Sequence, residues 1–310
     1  MKPRLSVIVP ALLGYDTVLA ALDAWEAQSC RDRLEILILC PTPPPAELLP
    51  PGQVAIATGS LHLHQARRLG IVHASADYVM LAEDHCLPDS NWAEAILSRL
   101  EEGWDGIGPA LRSGNPATPW TQASFLLGYG EWMSPVATGA VSVLPGHNGV
   151  LSRQRLLDLG PALEDELRVA AFLVRRLHHQ GQRFYLDSRA AMRHFDVPDR
   201  KRCLRIFFCV GMGFGAIRTS RWPWAGRALY WLATPAIAAR HWGRALTHYR
   251  RAGAQAGLSR FCLMTAVPLA LAWACGESAG ALMGAGRVTP FLLFSEIKPV
   301  SRRDVTEQQE

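Results

Sequence analysis

Glu83, Asp84 and His85 stand side by side in this chain, directly after the apolar run Tyr78-Val79-Met80-Leu81-Ala82. Carboxylates and an imidazole grouped in this way can ligate a divalent cation, and a cation so held can neutralise a diphosphate. The apolar run reads as a buried strand, and the carboxyl edge of such strands is where open α/β folds bind ligands. The competing reading is a solvated turn, with Asp89 or Ser90 capping the next helix.

The elements that must position the cluster alternate along the chain. Strands are expected over residues 5–10, 35–39, 54–57, 78–82 and 105–109, and helices over 17–28, 63–74 and 92–101. The Pro-rich stretch 41–51 is loop. This alternation predicts an α/β fold with a largely parallel sheet. Residues 112–135 read as loop, with Trp120, Phe125, Tyr129 and Trp132 as packing aromatics. A strand at 141–144 leads into Pro145-Gly146-His147-Asn148-Gly149. Helices near 153–159 and over 164–179 follow, then a strand at 183–186 and an apolar piece, 190–192, before Arg193-His194. Beyond Asp199 no strand pattern returns. The expected organisation is a catalytic domain over 1–199, a basic and apolar helical region over 200–300 and a polar tail over 301–310.

Seven scattered cysteines without CxxC spacing argue against a disulfide framework or structural zinc and fit a reducing cytosol. The N-terminus runs straight into the first strand with no signal-peptide pattern, so the N-terminal part is expected to stay in the cytoplasm. Residues 200–260 contain many arginines, no Asp and no Glu, interleaved with Trp222, Trp224, Trp231 and Trp242. That mixture suits an anionic membrane surface. It would also suit nucleic acid, but no nucleic-acid module is recognisable. Residues 261–276 are almost wholly apolar but contain Pro268 and are followed by Glu277. Reaching the roughly 20 residues of a spanning helix requires including that acid, so spanning and lying on the membrane both stay open. Gly211-x-Gly213-x-Gly215 lacks GxGxxG spacing and a surrounding βαβ unit, and no Walker loop or nucleophile elbow occurs.

Taken in order, these pieces resemble the family 2 glycosyltransferases of the GT-A fold. The resemblance spans roughly residues 3–194. Leu5-Ser6-Val7-Ile8-Val9-Pro10 is similar to the family's first strand, whose end, here Pro10 and Ala11, lies against the donor nucleotide. Ala66-Arg67-Arg68-Leu69-Gly70-Ile71 and Ala76-Asp77-Tyr78-Val79 resemble the approach to the D-x-D strand, and Glu83-Asp84-His85 stands where D-x-D would. Pro145–Gly149 with Arg153 resembles the acceptor-side loop and helix. Arg176-Leu177, Gly181 and Arg193-His194 resemble the end of the catalytic domain. The implied fold is a Rossmann-like mixed sheet flanked by helices, followed by a helical C-terminal region.

Three departures shape what the resemblance implies. D-x-D is Glu83-x-His85, and imidazole suits Mn²⁺ better than Mg²⁺. The Asp expected after the second strand is replaced by Leu39-Cys40-Pro41-Thr42, so the nucleobase is not specified. The acidic doublet's register falls on Val169-Ala170; Glu166, one helical turn before Ala170 if both are helical, is the first candidate base and Asp165 the second. The competing reading of Glu164–Glu166 is an acidic first helical turn favoured by the helix dipole.

The implied activity is inverting transfer of a sugar from a nucleotide diphospho-sugar to a lipid-linked or glycan acceptor. It would occur at the cytoplasmic face of the cell membrane, in cell-surface polysaccharide or glycolipid synthesis. The donor would meet Pro10, Ala11, Arg67, Glu83, Asp84, His147 and Asn148. A divalent metal, Mn²⁺ or Mg²⁺, would be held by Glu83, Asp84, His85 and His194. Each residue has a structural alternative: a solvated helix face for Arg67, a turn for His147 and Asn148, and a hydrogen-bonded strand end for His194. The competing function is a non-catalytic sugar-nucleotide-binding or scaffold subunit of a polysaccharide assembly complex.

Overall fold

The computed structural model describes residues 2–115 and 117–306. Nine strands occur among them: β1 (Leu5–Pro10), β2 (Leu34–Cys40), β3 (Gln53–Ala57), β4 (Tyr78–Leu81), β5 (Cys86–Pro88), β6 (Gly106–Ser113), β7 (Gly139–Val141), β8 (Val150–Ser152) and β9 (Phe184–His194). They form one sheet in the order β3-β2-β1-β4-β8-β6-β9-β5, with β7 on β9. The first four are parallel, joined through α1 (Leu19–Glu26) and α2 (Leu63–His73). β8 is antiparallel to both β4 and β6, and β9 is antiparallel to both β5 and β7. This is the expected α/β architecture, a Rossmann-like mixed sheet flanked by helices. Every residue of β1 is buried, the continuous apolar pattern of a parallel strand covered on both faces.

The remaining helices are α3 (Trp92–Leu100), α4 (Pro119–Tyr129), α5 (Arg153–Leu157), α6 (Ala162–Glu166), α7 (Ala170–His179), α8 (Arg200–Arg218), α9 (Trp224–Leu232), α10 (Thr234–His248), α11 (Phe261–Met283), α12 (Ala285–Glu296) and α13 (Arg302–Thr306). The chain forms two compact units. The first comprises residues up to Arg112, Val136–His194 and the segment from Pro299; the second comprises Ser113–Pro135 and Phe195–Lys298. The change at residue 194/195 comes five residues before the expected boundary at Asp199. Residues 113–135 join the second unit because α4 packs on α11. The segment from Pro299 joins the first, where Arg302 forms a bidentate ion pair with Asp23 at 2.6 and 2.7 Å. Residues 307–310 of the expected polar tail lie outside the described residues.

Three local expectations are corrected. The segment read as loop contains α4, whose Thr118 cap accepts a hydrogen bond from the Thr121 backbone and whose first turn opens on Pro119. The single helix expected over 164–179 is two helices separated by a 3₁₀ turn, Leu167–Val169, with Val169 at φ −140° and ψ 89°. The strand expected at 141–144 lies at Gly139–Val141, and Leu144 belongs to the loop that follows.

In the helical unit α8 and α11 cross at backbone distance. A Cβ added at Gly211 or Gly215 would overlap the backbone oxygen of Trp273 or Glu277; one at Gly276 or Gly280 would overlap that of Phe208 or Met212. Gly211 and Gly215, for which spacing excludes a nucleotide-loop reading, are one half of a paired GxxxG crossing, in which small residues let two helices touch. Glu277, fully buried beside this crossing, is bonded by Arg218, Tyr230 and His241.

Candidate metal and diphosphate site

The parallel strands bring several candidate residues to one edge. The β1–β4 register pairs Ile8 with Leu81, and the Ala82 amide donates to the Ile8 carbonyl at 3.0 Å. Continuing that register by two residues sets Pro10 level with Glu83. Between β1 and β4 the strand order reverses direction, the switch point at which open sheets form a ligand crevice. Ala11 is fixed there by donation from its amide to the Leu39 carbonyl at 2.8 Å.

After β4 the chain turns through Glu83, Asp84 and His85 and re-enters the sheet as β5. β5 pairs with β9 in a register that sets Cys86 opposite His194. A residue 109 positions later is thereby delivered beside His85, with ring centroids 4.7 Å apart in an edge-to-face arrangement. Glu83, His85 and His194 are all buried, and one ligand atom from each lies within 4.8 Å of the other two. His85 Nε2 is 3.9 Å from Glu83 Oε1, and His194 Nε2 is 3.8 Å from Glu83 Oε2. Those separations are too long for hydrogen bonds and of the size left between ligands sharing one cation. Two imidazole nitrogens and one carboxylate oxygen form a donor set suited to a first-row transition ion. The residues present therefore fit the divalent metal that the resemblance implies.

Asp84, expected among the ligands, stands behind His85 instead. Its Oδ1 lies 2.6 Å from His85 Nδ1, both side chains being buried. A carboxylate in this place fixes the imidazole's tautomer and directs its Nε2 toward a metal. Asn148 does the same for Glu83. The Glu83 amide donates to Asn148 Oδ1 at 3.2 Å, Asn148 Nδ2 donates to Glu83 Oε2 at 2.5 Å, and the Asn148 amide donates to the Leu81 carbonyl at 2.8 Å. Asn148 sits at φ +64°, a left-handed conformation that asparagine tolerates better than most residues. Its clamp on Glu83 was not read from the sequence; the Asn-Gly pair, a signal for left-handed backbone, was the available clue.

The other candidates are placed as follows. Arg67 is 1% exposed on α2, so the solvated-face reading fails for it and holds for its exposed neighbour Arg68. His147 is half-buried in the loop that carries Asn148. Glu166 is engaged by Arg176 at 2.5 Å, and Asp165, largely exposed, by Arg168 at 3.0 Å. Neither belongs to the Glu83–His85–His194 group. The 3₁₀ turn and the extended Val169 also remove the regular helix on which the same-face relation of Glu166 to Ala170 depended.

No family model and no curated protein matches the sequence. Among solved structures, S. aureus TarS aligns with a TM-score of 0.46 and 13% identity over 67% of this chain and 39% of that one. GalNAc-T7 with UDP, GalNAc and Mn²⁺ aligns at 0.48 and 12% over 71% and 51%. TarS 1–349 in complex with UDP-GlcNAc aligns at 0.44 and 13% over 68% and 66%. This chain thus spans well under two thirds of the length of the first two. Likenesses of this strength leave the activity to be argued from the site itself.

Proposed function

We propose that this chain is an inverting glycosyltransferase that moves a sugar from a nucleotide diphospho-sugar to a lipid-linked or glycan acceptor. Its place would be the cytoplasmic face of a membrane, in cell-surface polysaccharide or glycolipid synthesis. The observation that carries this reading is the Glu83–His85–His194 group at the switch point of the parallel strands. A divalent ion bound there, Mn²⁺ in preference to Mg²⁺, would supply Lewis-acid stabilisation of the leaving diphosphate. Glu83, His85 and His194 would hold it, while Asn148 and Asp84 fix the first two in position. Pro10 and Ala11 form the nucleotide side of the crevice, and His147 stands on the loop that also supplies Asn148. Arg67, almost wholly buried on α2, is a further donor-side candidate. Glu166 or Asp165 takes the proton from the acceptor hydroxyl as its oxygen bonds to the anomeric carbon opposite the departing nucleoside diphosphate, a single displacement that inverts that carbon.

The test is donor hydrolysis or transfer by the purified full chain, with Mn²⁺ and a panel of nucleotide diphospho-sugars. One donor should turn over, and Glu83→Ala should lower that rate at least about 100-fold. Tight donor binding with no turnover of any donor would instead identify the non-catalytic subunit.

A further inference from the structure

We infer that the helical unit lies on an anionic lipid bilayer rather than across it, meeting the lipid through the open face of α9 and one stripe of α11. This deepens the membrane placement proposed above, and its test requires neither donor nor metal.

Charge is the first observation. Residues 200–298 carry fourteen Lys and Arg against two Glu, a net +12, while the rest of the chain carries eighteen against twenty-five, a net −7. The second is exposed apolar surface. Sixteen large apolar side chains are exposed among the described residues, and eleven of them fall between residues 222 and 283. None of the residues of α9 is buried, and its Trp224, Trp231 and Leu232 are 77%, 52% and 64% exposed. On α11 the exposed Met264, Leu271 and Leu282 stand 3, 10 and 21 residues after the exposed Phe261, offsets that at 3.6 residues per turn return to one helix face. Exposed arginines adjoin this surface in the chain: Arg221 precedes Trp222 and Arg260 precedes Phe261. Aromatic and aliphatic groups beside cations are what an anionic interface receives.

The same structure argues against crossing. α11 is long and apolar enough to span, but half of its apolar window is buried inside the protein. Its covered side meets α8 through the glycine contacts and presents Glu277 to Arg218, Tyr230 and His241. The partners that supply Tyr230 and His241 are short. α9 has 9 residues and α10 has 15, about 13 and 22 Å long at 1.5 Å per residue, against a hydrocarbon core of about 30 Å. A second copy is a poor occupant of the same face, because two surfaces of net +12 repel while anionic headgroups attract.

Flotation of the full chain with phosphatidylcholine vesicles, with and without 30% phosphatidylglycerol, tests the inference. Binding should rise at least tenfold with the anionic lipid and fall in high salt. Arg221→Gln should lower it about fivefold. Trp224→Ser with Trp231→Ser should lower it more than tenfold, with the lipid-free melting curve unchanged, and Phe261→Ser with Met264→Ser should do the same. Equal binding to both vesicles, or unchanged binding by both double variants, overturns the proposal. So does a lipid-free dimer abolished by Trp224→Ser with Trp231→Ser, which would make the face a self-interface. Retention of membrane-bound protein after alkaline carbonate extraction would show that α11 crosses.

Discussion

Each unit of this protein buries a glutamate beside histidine, and the two sites do opposite things with it. In the sheet unit Glu83 stands 3.8–3.9 Å from two imidazole nitrogens, with Asn148 and Asp84 holding the group from behind. In the helical unit Glu277 is in direct hydrogen-bond contact with His241 at 2.7 Å, and also with Arg218 and Tyr230. The first arrangement spaces donor atoms as ligands are spaced. The second closes the carboxylate inside a network that joins α8, α9, α10 and α11. Here a buried acid serves as a site or an anchor according to whether the histidines beside it stand off from it or bond to it.

The largest expected effect would break the anchor. Glu277→Ala leaves Arg218 without its counter-charge and His241 and Tyr230 without their hydrogen-bond partner, and breaking such a buried pair costs about 3–5 kcal/mol; the partial exposure of Arg218 favours the lower end. Urea denaturation should show that loss. Gly215→Val should cost about 3 kcal/mol, because its Cβ would displace backbone rather than a side chain. A fall of less than 1 kcal/mol in either variant would mean that this crossing and its anchor do not hold the helices together.

Next comes the ligand-positioning role of Asp84. Asp84→Asn preserves size but removes the charge that holds His85 by its Nδ1, and loss of such a partner weakens metal binding about 10–100-fold. Calorimetric titration with Mn²⁺ should show this with the apo-protein's melting temperature little changed. Unchanged affinity would return Asp84 to a purely structural role.

The smallest effect sharpens the contrast, because it concerns a buried acid of the sheet unit that behaves as an anchor. Burial raises the Asp187 pKa, but hydrogen bonds from Arg189 and Arg99 outweigh it and hold the value at about 2. A carboxyl held below its unfolded value stabilises the fold above about pH 4, and that stability is lost as pH falls toward 2. The expected contribution is about 1–2 kcal/mol, reduced by the partial exposure of both arginines. Thermal melts of the native chain and Asp187→Asn between pH 5 and 2 should converge at the acid end.

The parallel strands were legible because residues 5–10, apart from Ser6, and 78–81 are continuously apolar and bounded by turn or polar residues. The tripeptide's place at the sheet edge followed from that pattern. Which of its members face a cation did not, since adjacency in sequence cannot say whether Asp84 bonds a metal or His85. The β5–β9 register that sets His194 beside His85 is likewise tertiary information. α4 was hidden by its Pro and Gly content, although Thr118 before Pro119 is a helix start. The break at Val169 separates two stretches of helical composition and leaves no periodic trace. The glycines of α8 gained meaning only opposite those of α11, and the lone Glu277 in an apolar helix was the one available sign of the anchor.

The central claim is that Glu83, His85 and His194 form one cation site. Electron paramagnetic resonance of Mn²⁺, titrated into the native chain with a nucleoside diphosphate present, tests it most directly. The prediction is a single bound ion with nitrogen coupling, its affinity lowered at least about 100-fold in Glu83→Gln and in His194→Ala. A native chain that leaves Mn²⁺ free, or variants that bind it as tightly as the native chain, would contradict the claim.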